Sequence, residues 1–391
     1  MQFLVLGCGM MGRAIVYDLL RDSENYVIAV DIAAELLDRL SKDINSDRLR
    51  TIRGNVLDRN LLARIIKDYN IDVVVNALPH SIALKLIPVE AELGIKVVDL
   101  TYEDPLLEYD SIARDNNSRI AIGCGVAPGL SDMLIAYSIS KLDFIDEALI
   151  YVGGVLKNPE PPLYYRVLFN IESLWNEYVE AAKIIDNGSI KYVEALSGLE
   201  NIEVEGLGRF EAFYTDGFRS VIKFLERKGI KINRGFEKTL RNPGHINIVK
   251  TLRDLGFLSK NPVDYKGFKV IPRELTTVML KPYLEFRHGI DEDITILITI
   301  IRGVKNGSKI EYKSTLIDYY DLKTRHTSMA RTTGYTAAVI ARLLALKEEY
   351  FKPGIILPGD IGYSNQLMEI ILEELTKRDI KVEFKSSSIN T

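Results

Sequence analysis

The residues with the clearest capacity for chemistry stand at the start of the chain. An apolar run at residues 2–6 leads into Gly7-Cys8-Gly9-Met10-Met11-Gly12, and a second apolar run ends at Asp31-Ile32, with Asp31 placed 19 positions beyond Gly12. These types at this spacing suit a dinucleotide. Gly7 allows the tight strand-to-helix turn, Gly9 lets the backbone approach a pyrophosphate, and Gly12 lets the helix pack close to the strand. The helix begins at Met10 and Met11, so its free N–H groups and positive dipole end face the phosphates. A carboxylate at Asp31 accepts hydrogen bonds from both hydroxyls of the adenosine ribose and repels a 2′-phosphate, which selects NAD over NADP. Glycine triplets also occur by chance in turns; the preceding strand, the following helix and the acid argue against chance here.

A second pattern is a decoy. Tyr137-Ser-Ile-Ser-Lys141 has the tyrosine–lysine spacing of a short-chain dehydrogenase site, and so does Tyr265-Lys-Gly-Phe-Lys269. With 20 tyrosines in the chain such matches arise by chance. The glycine spacing is also not the short-chain form.

Composition limits the remaining possibilities. A chain of 391 residues with 47% hydrophobic and 27% charged residues reads as an ordinary globular protein of two or three domains. A net charge of −4 and no basic run argue against a nucleic-acid footprint or an anionic membrane surface, and small molecules are the expected partners. No apolar stretch approaches the roughly 20 residues of a membrane span, and the N-terminus enters a strand at once, so a cytoplasmic location is expected. Cys8 and Cys124 both adjoin glycines, and two buried thiols are expected in preference to a disulfide. His80, His245, His288 and His326 lie too far apart in sequence for metal-ligand spacing, so no metal is expected.

These residues need a scaffold. Short apolar runs at 2–6, 26–30, 49–53, 72–76, 96–100 and 119–122 alternate with helical patterns, which specifies an α/β Rossmann fold with a doubly wound parallel sheet. Its ligand belongs at the carboxyl ends of the strands. Beyond Gly129 the pattern changes to a helix at 130–142 and longer alternating runs at 148–153, 163–169, 209–213, 294–302 and 309–319, broken by helices at 173–185 and 246–255. That describes an inserted α+β domain with a mixed or antiparallel sheet. The expected boundaries are 1–125 for the dinucleotide domain, completed by 328–391, and 126–327 for a catalytic and dimerisation domain. Small residues along the helical segment at 328–345 suit close packing against the first domain. A strand is expected at 380–384, and residues 386–391 are expected to fray.

Taken together, the fingerprint, Asn76-Ala77-Leu78-Pro79, Gly125-Val126-Ala127-Pro128-Gly129, Pro161-Pro162-Leu163-Tyr164-Tyr165, Thr215-Asp216-Gly217-Phe218-Arg219-Ser220, Thr239-Leu240-Arg241-Asn242-Pro243-Gly244-His245 and the Met329–Ala338 stretch resemble the saccharopine dehydrogenase family nearly end to end. The length and the Pro-Pro-Leu-Tyr-Tyr and Leu-Arg-x-Pro-Gly-His segments resemble its L-lysine dehydrogenase branch. The resemblance implies a split Rossmann domain with a catalytic insertion, a homodimer, and an amine dehydrogenase acting on lysine or a lysine adduct.

That reaction sets requirements. Hydride leaves the carbon bearing nitrogen, so the nitrogen must be neutral, although a lysine amine has a pKa of about 10.4. A base or a depressed pKa is needed, along with exclusion of water from the nicotinamide. The α-carboxylate calls for an arginine fork, with Arg241 and Arg219 as candidates, and the α-ammonium calls for a carboxylate, with Asp216 as candidate. His245 is the candidate base, because histidine titrates near working pH. Each has a plainer alternative: a core or capping histidine, a surface or interdomain ion pair for Arg241, a hairpin turn at Asp216-Gly217. Asn55 and Val56 are expected at the adenine, and Ala77, Leu78, Pro79 and Thr101 at the nicotinamide ribose; ordinary turn chemistry is the alternative. Gly125, Pro128 and Gly129 are expected to shape the floor of the substrate pocket, and Tyr165 to bring a phenol to it.

Three functions fit the sequence. The leading one is oxidative deamination of L-lysine at the ε-carbon to allysine and ammonia. A saccharopine-type dehydrogenase, whose substrate has two more carboxylates, would draw on Arg166, Arg234 and Arg287. A non-catalytic NAD-binding regulator would need the fingerprint and Asp31 but no polar cluster in the second domain.

Overall fold

The computed structural model describes residues 1–389 and falls into two compact units. The first comprises Met1–Asp143, Arg219–Ile230 and Ala330–Val382; the second comprises Phe144–Phe218, Lys231–Met329 and the chain from Glu383. Compared with the expected boundaries, the helix Leu130–Ile139 and the helix Arg219–Lys228 belong to the first unit.

The first unit holds strands β1 (Gln2–Leu6), β2 (Tyr26–Asp31), β3 (Leu49–Arg53), β4 (Val73–Asn76), β5 (Lys96–Asp99) and β6 (Arg119–Ala121), with β17 (Gly354–Ile356) at the edge. They form one parallel sheet in the order β17-β6-β5-β4-β1-β2-β3. The order reverses beside β1, where a doubly wound sheet binds its ligand. Helices cover both faces, and Phe3, Leu4, Val5, Val74 and Val75 are accordingly fully buried without alternation. The helix Ser328–Leu346 returns to this unit from residue 330, and Gly334 explains how: a Cβ there would press on Ala14 of the first helix.

The second unit is built on a mixed nine-stranded sheet of β7 (Phe144–Leu156), β8 (Ala182–Asp186), β9 (Ser189–Val193), β10 (Glu200–Val204), β11 (Gly208–Thr215), β12 (Arg234–Arg241), β15 (Asp293–Lys305), β16 (Ser308–Tyr319) and β18 (Val382–Ser388). A separate hairpin, β13 (Val263–Tyr265) and β14 (Phe268–Val270), completes the strands. One face carries Leu149, Tyr151, Phe236, Leu240, Ile294 and Ile296 in a continuous core. A second core joins Leu163, Tyr165, Trp175, Tyr178, Phe213 and Ile246.

Three expected elements differ. Residues 163–169 form no strand: two prolines precede them and Tyr164 has φ +54°, while Leu163 and Tyr165 are buried individually in the second core. The helix expected at 173–185 ends at Val179, and Ala182–Asp186 pairs with β9 and β12 instead. The final strand joins the second sheet and continues to Ser388, past the point where fraying was expected; residues 390–391 lie outside the described residues.

Candidate functional site

The dinucleotide turn has the geometry its glycines require. Gly7 has φ +92°, and a side chain there would strike the Ala77 carbonyl; one at Gly12 would strike the Gly7 carbonyl. Gly9 differs, because a Cβ at this position would meet no protein atom within 4 Å. Its surroundings leave room for a group to lie against the backbone. Asp31 ties the turn to the end of β2: its carboxylate accepts from the Cys8 amide at 2.7 Å and from the Ala33 amide at 2.9 Å. Met10 and Met11 start the helix Met10–Leu19, and Ile32 is exposed beside Asp31. The Asn55 side chain accepts from the Leu57 amide at 3.0 Å in the turn after β3 that also contains Val56. Ala77 follows β4, donating to the Leu6 carbonyl, and Leu78 and Pro79 lead into the helix His80–Glu92. Thr101 donates its amide to Asp99 at 2.6 Å. All of these lie at the carboxyl ends of the parallel strands, as a nicotinamide dinucleotide requires. Cys8 and Cys124 are buried free thiols; burial, with Asp31 nearby, pushes Cys8 up to about 12.

Buried acids brace those strand ends. The Asn76 amide donates to Glu90 at 3.0 Å and to Asp99 at 2.8 Å. Burial pushes Glu90 up to about 8 and Asp99 up to about 6, so the pair retains a proton near neutral pH. In the Gly125–Gly129 segment the Gly125 amide donates to the Pro128 carbonyl at 3.0 Å, and a Cβ on Gly129 would overlap Gly125. Asp132 then accepts from the Gly129 amide, the Ser131 hydroxyl and the Ser220 hydroxyl. Arg219 belongs to this unit and holds Glu103 through two hydrogen bonds of 2.8 and 2.9 Å. The decoy pair resolves simply: the Lys141 ammonium stacks 3.9 Å from the Tyr137 ring centre.

The second unit contributes a buried polar chain. Arg241, at the end of β12, donates from Nε to the Tyr178 hydroxyl at 3.1 Å, from one terminal nitrogen to Glu177 at 2.6 Å and from the other to the Leu240 carbonyl at 3.0 Å. Tyr178 stands 2.8 Å from His245 Nε2, and His245 Nδ1 stands 2.7 Å from the Leu163 carbonyl. A carbonyl only accepts, so Nδ1 carries the proton and Nε2 is bare. The order is therefore fixed: Arg241 donates to Tyr178, Tyr178 to His245, His245 to Leu163. Tyr165 covers the chain, its ring centre 4.7 Å from the guanidinium carbon, and its buried hydroxyl has no hydrogen-bond partner.

Not all the expected residues meet. Arg241 and His245 are joined through Tyr178, but Asp216 sits elsewhere. Thr215 pairs with Glu237 and Glu211 with Arg241, which places Asp216 just past the end of β11, five residues or about 17 Å along the ladder from the partner of Arg241. There Asp216 accepts from the Lys183 amide at 2.7 Å and opens a single turn, Asp216–Phe218, not a hairpin. His245 also departs from the expectation of a group titrating near neutrality. Burial, reinforced by the charge of Arg241, lowers it to about 3, and its free lone pair is occupied by the Tyr178 proton. At neutral pH the ring is uncharged and orients Tyr178. Tyr178 and Glu177 were missed in the sequence; the only available signal was their position beside Trp175 on an apolar helix face. Among the described residues no group of three or more His, Cys, Asp or Glu is placed to hold a metal, and no helix is long and apolar enough to cross a membrane.

Two family models cover almost the whole chain: the saccharopine dehydrogenase NADP binding domain matches residues 3–121, and the saccharopine dehydrogenase C-terminal domain matches residues 125–380. The chain belongs to the saccharopine dehydrogenase family. It is thus an NAD(P)-dependent oxidoreductase acting on a CH–NH group, with an α/β two-domain fold. Within reach of the family, carboxyaminopropylagmatine dehydrogenase from Synechocystis is 20% identical over 330 residues, 80% of either chain. Saccharopine dehydrogenase (L-Glu forming) from Saccharomyces cerevisiae matches over 100% of both chains with a TM-score of 0.80 at 19% identity. Homospermidine synthase from Legionella pneumophila, solved in complex with NAD, matches over 100% of this chain and 92% of its own with a TM-score of 0.63 at 13% identity. At these identities the two structures speak for the fold.

Proposed function

We propose that this family member is an NAD-dependent L-lysine 6-dehydrogenase that converts lysine, NAD and water to allysine, ammonia and NADH. One observation carries the choice of lysine over a substrate with two more carboxylates. Arg166 is bound to Asp291, Arg234 to Glu147, and Arg287 to Asp291 and Glu160. Arg241 is paired as well, with Glu177, but unlike the half-exposed Arg234 it is buried, and it keeps two of its five N–H groups beside that carboxylate. One cation and one carboxylate match a single zwitterionic amino-acid head.

In this reading NAD supplies the hydride acceptor. Gly7, Gly9, Gly12, the amides of Met10 and Met11, and Asp31 hold its phosphates and ribose; Ile32, Asn55, Val56, Ala77, Leu78, Pro79 and Thr101 line its remainder. Arg241 takes the α-carboxylate and Glu177 the α-ammonium. His245 holds the Tyr178 hydroxyl in one orientation, and Tyr165 excludes water from the guanidinium. Asp216, Arg219 and the Gly125–Gly129 segment complete the proposed set as supports. The enzyme works as a homodimer.

The deciding assay supplies purified protein with NAD and either lysine or saccharopine and follows NADH. NADH is expected with lysine alone; turnover with saccharopine only would overturn the reading. Asp31→Ala should weaken NAD about 10–100-fold, the worth of one or two charge-assisted hydrogen bonds, and should narrow the gap to NADP. Titration of both cofactors by fluorescence checks this, and an unchanged preference would remove Asp31 from the ribose.

A further inference from the structure

The helix Pro272–Leu284 carries more apolar surface than a lone chain can bury. Its inward face buries Arg273, Thr276 and Leu284, while Leu275, Val278, Met279 and Tyr283 point outward at helical spacing. Val278 is 71% exposed. Leu280 and Leu284 pack inward on the second core, so the outward row is a second apolar stripe, and left in water it wastes burial energy.

The hairpin β13–β14 immediately before it behaves likewise. No residue of either strand is buried, and Phe268 is 72% exposed with Val263 and Tyr265 beside it. A two-stranded hairpin with nothing packed on it is marginal in water. The preceding segment adds Leu255 and Phe257, and it is fixed to the helix: the Thr276 hydroxyl donates to the Phe257 carbonyl at 2.9 Å, and Arg273 donates to the Leu258 carbonyl at 2.9 Å. These nine side chains lie within 29 consecutive residues. They expose on the order of 1,000 Å², above the roughly 300–600 Å² of the largest patch on an ordinary monomer and close to the roughly 800 Å² per partner of a standard interface.

We propose that this surface is the interface between two copies of the chain, related by a twofold axis. The charges support a like partner. The hairpin carries Asp264, Lys266 and Lys269 and the helix Glu274 and Lys281, and among the described residues none of the five has an ion-pair partner within the chain. Unpaired charges of both signs on one patch let a second copy set its cations against these acids, as an isologous contact requires. The inference rests on the homodimer of the reading above, not on its substrate.

Light scattering on the eluting full-length protein tests it. The wild type should have twice the chain mass of 44.2 kDa, and the Phe268→Glu/Val278→Glu double variant that mass once, with unchanged circular dichroism. A wild-type monomer would overturn both the homodimer and the surface; a double variant that stays dimeric would overturn the surface alone. Wild-type monomers that co-sediment with phosphatidylcholine vesicles would assign the patch to a membrane and overturn the proposal. Should the variant not fold, hydroxyl-radical footprinting of the wild type decides. Phe268 and Met279 should label about tenfold less than Tyr192 and Leu322, which are equally exposed outside the patch, because interface cores exclude water. Equal labelling would overturn the surface. Lysine turnover is measured separately and bears on neither outcome.

Discussion

Alanine at Arg241 should lower the unfolding free energy by about 3 kcal/mol, the lower end of the range for breaking a buried ion pair from one side. The lower end applies because Glu177 keeps some access to water, its side chain 28% exposed against 2% for Arg241. Two further losses act in the same direction. The Tyr178 oxygen loses its donor, and the Tyr165 ring loses the guanidinium stacked on it. For a unit of this size the melting temperature should fall by about 6–12 °C, read by calorimetry. Arg241→Lys keeps the charge but not the fork, so it should recover less than half of that loss. If Arg241 also holds the substrate carboxylate, the lysine variant should raise KM at least about 30-fold while kcat changes little, the split expected when binding is lost before the chemical step. A melting temperature matching wild type in Arg241→Ala would remove the residue from the core network.

His245 should make stability fall steeply in mild acid. Its folded pKa, about 3, lies below the roughly 6.5 of an unfolded histidine. Between those values the unfolded chain binds the proton and the folded chain refuses it, so stability rises with pH across the window and is lost as pH falls through it. The slope approaches 1.4 kcal/mol per pH unit, and the whole window sums to on the order of 4–5 kcal/mol. Other groups oppose it. Glu90 at about 8, Asp99 at about 6 and Asp293 at about 7 are carboxyls raised by burial, and each favours the folded state at low pH and loses that contribution as pH rises. The effect is therefore read as a difference. Denaturant midpoints from pH 4 to 7 should fall toward acid less in His245→Gln than in wild type, because glutamine at this position does not titrate. Parallel curves would mean that the histidine is charged in the folded protein. The pH–rate profile should likewise lack an acid limb near 6.5 from this residue.

The parallel sheet was legible because its signals are local. Each strand is a short apolar run ended by Gly, Asn or Asp, and the fingerprint fixes where the first helix starts; only β17, three residues long, escaped notice. The second unit was less legible because its decisive facts are long-range. Residues 163–169 alternate like a strand, yet Leu163, Tyr165, Val167 and Phe169 find their places in a core assembled from Trp175, Phe213 and Ile246. Residues 182–186 have the Ile-Ile doublet of either a helix or a strand, and pairing with β9 and β12 decides for the strand. The Leu-Arg-x-Pro-Gly-His segment supplies two members of a buried polar chain, Arg241 and His245. It could not say that His245 is sealed from water, because the tyrosine that occupies its lone pair comes from a helix 67 positions earlier.

The alternation of the chain between its two units has a consequence for biosynthesis. The polypeptide passes from the first unit to the second and back through 143, 218, 230, 329 and 382, so neither is a continuous stretch. The central strand β1 is made before the other strands of its sheet, which waits for β17 at Gly354–Ile356, and the second sheet waits for β18 at Val382–Ser388. Most of the chain must emerge with strand edges open, the condition in which newly made proteins most need chaperones. Neither unit can be expressed from a simple gene fragment, and a premature stop before Gly354 would take an edge strand from both sheets together.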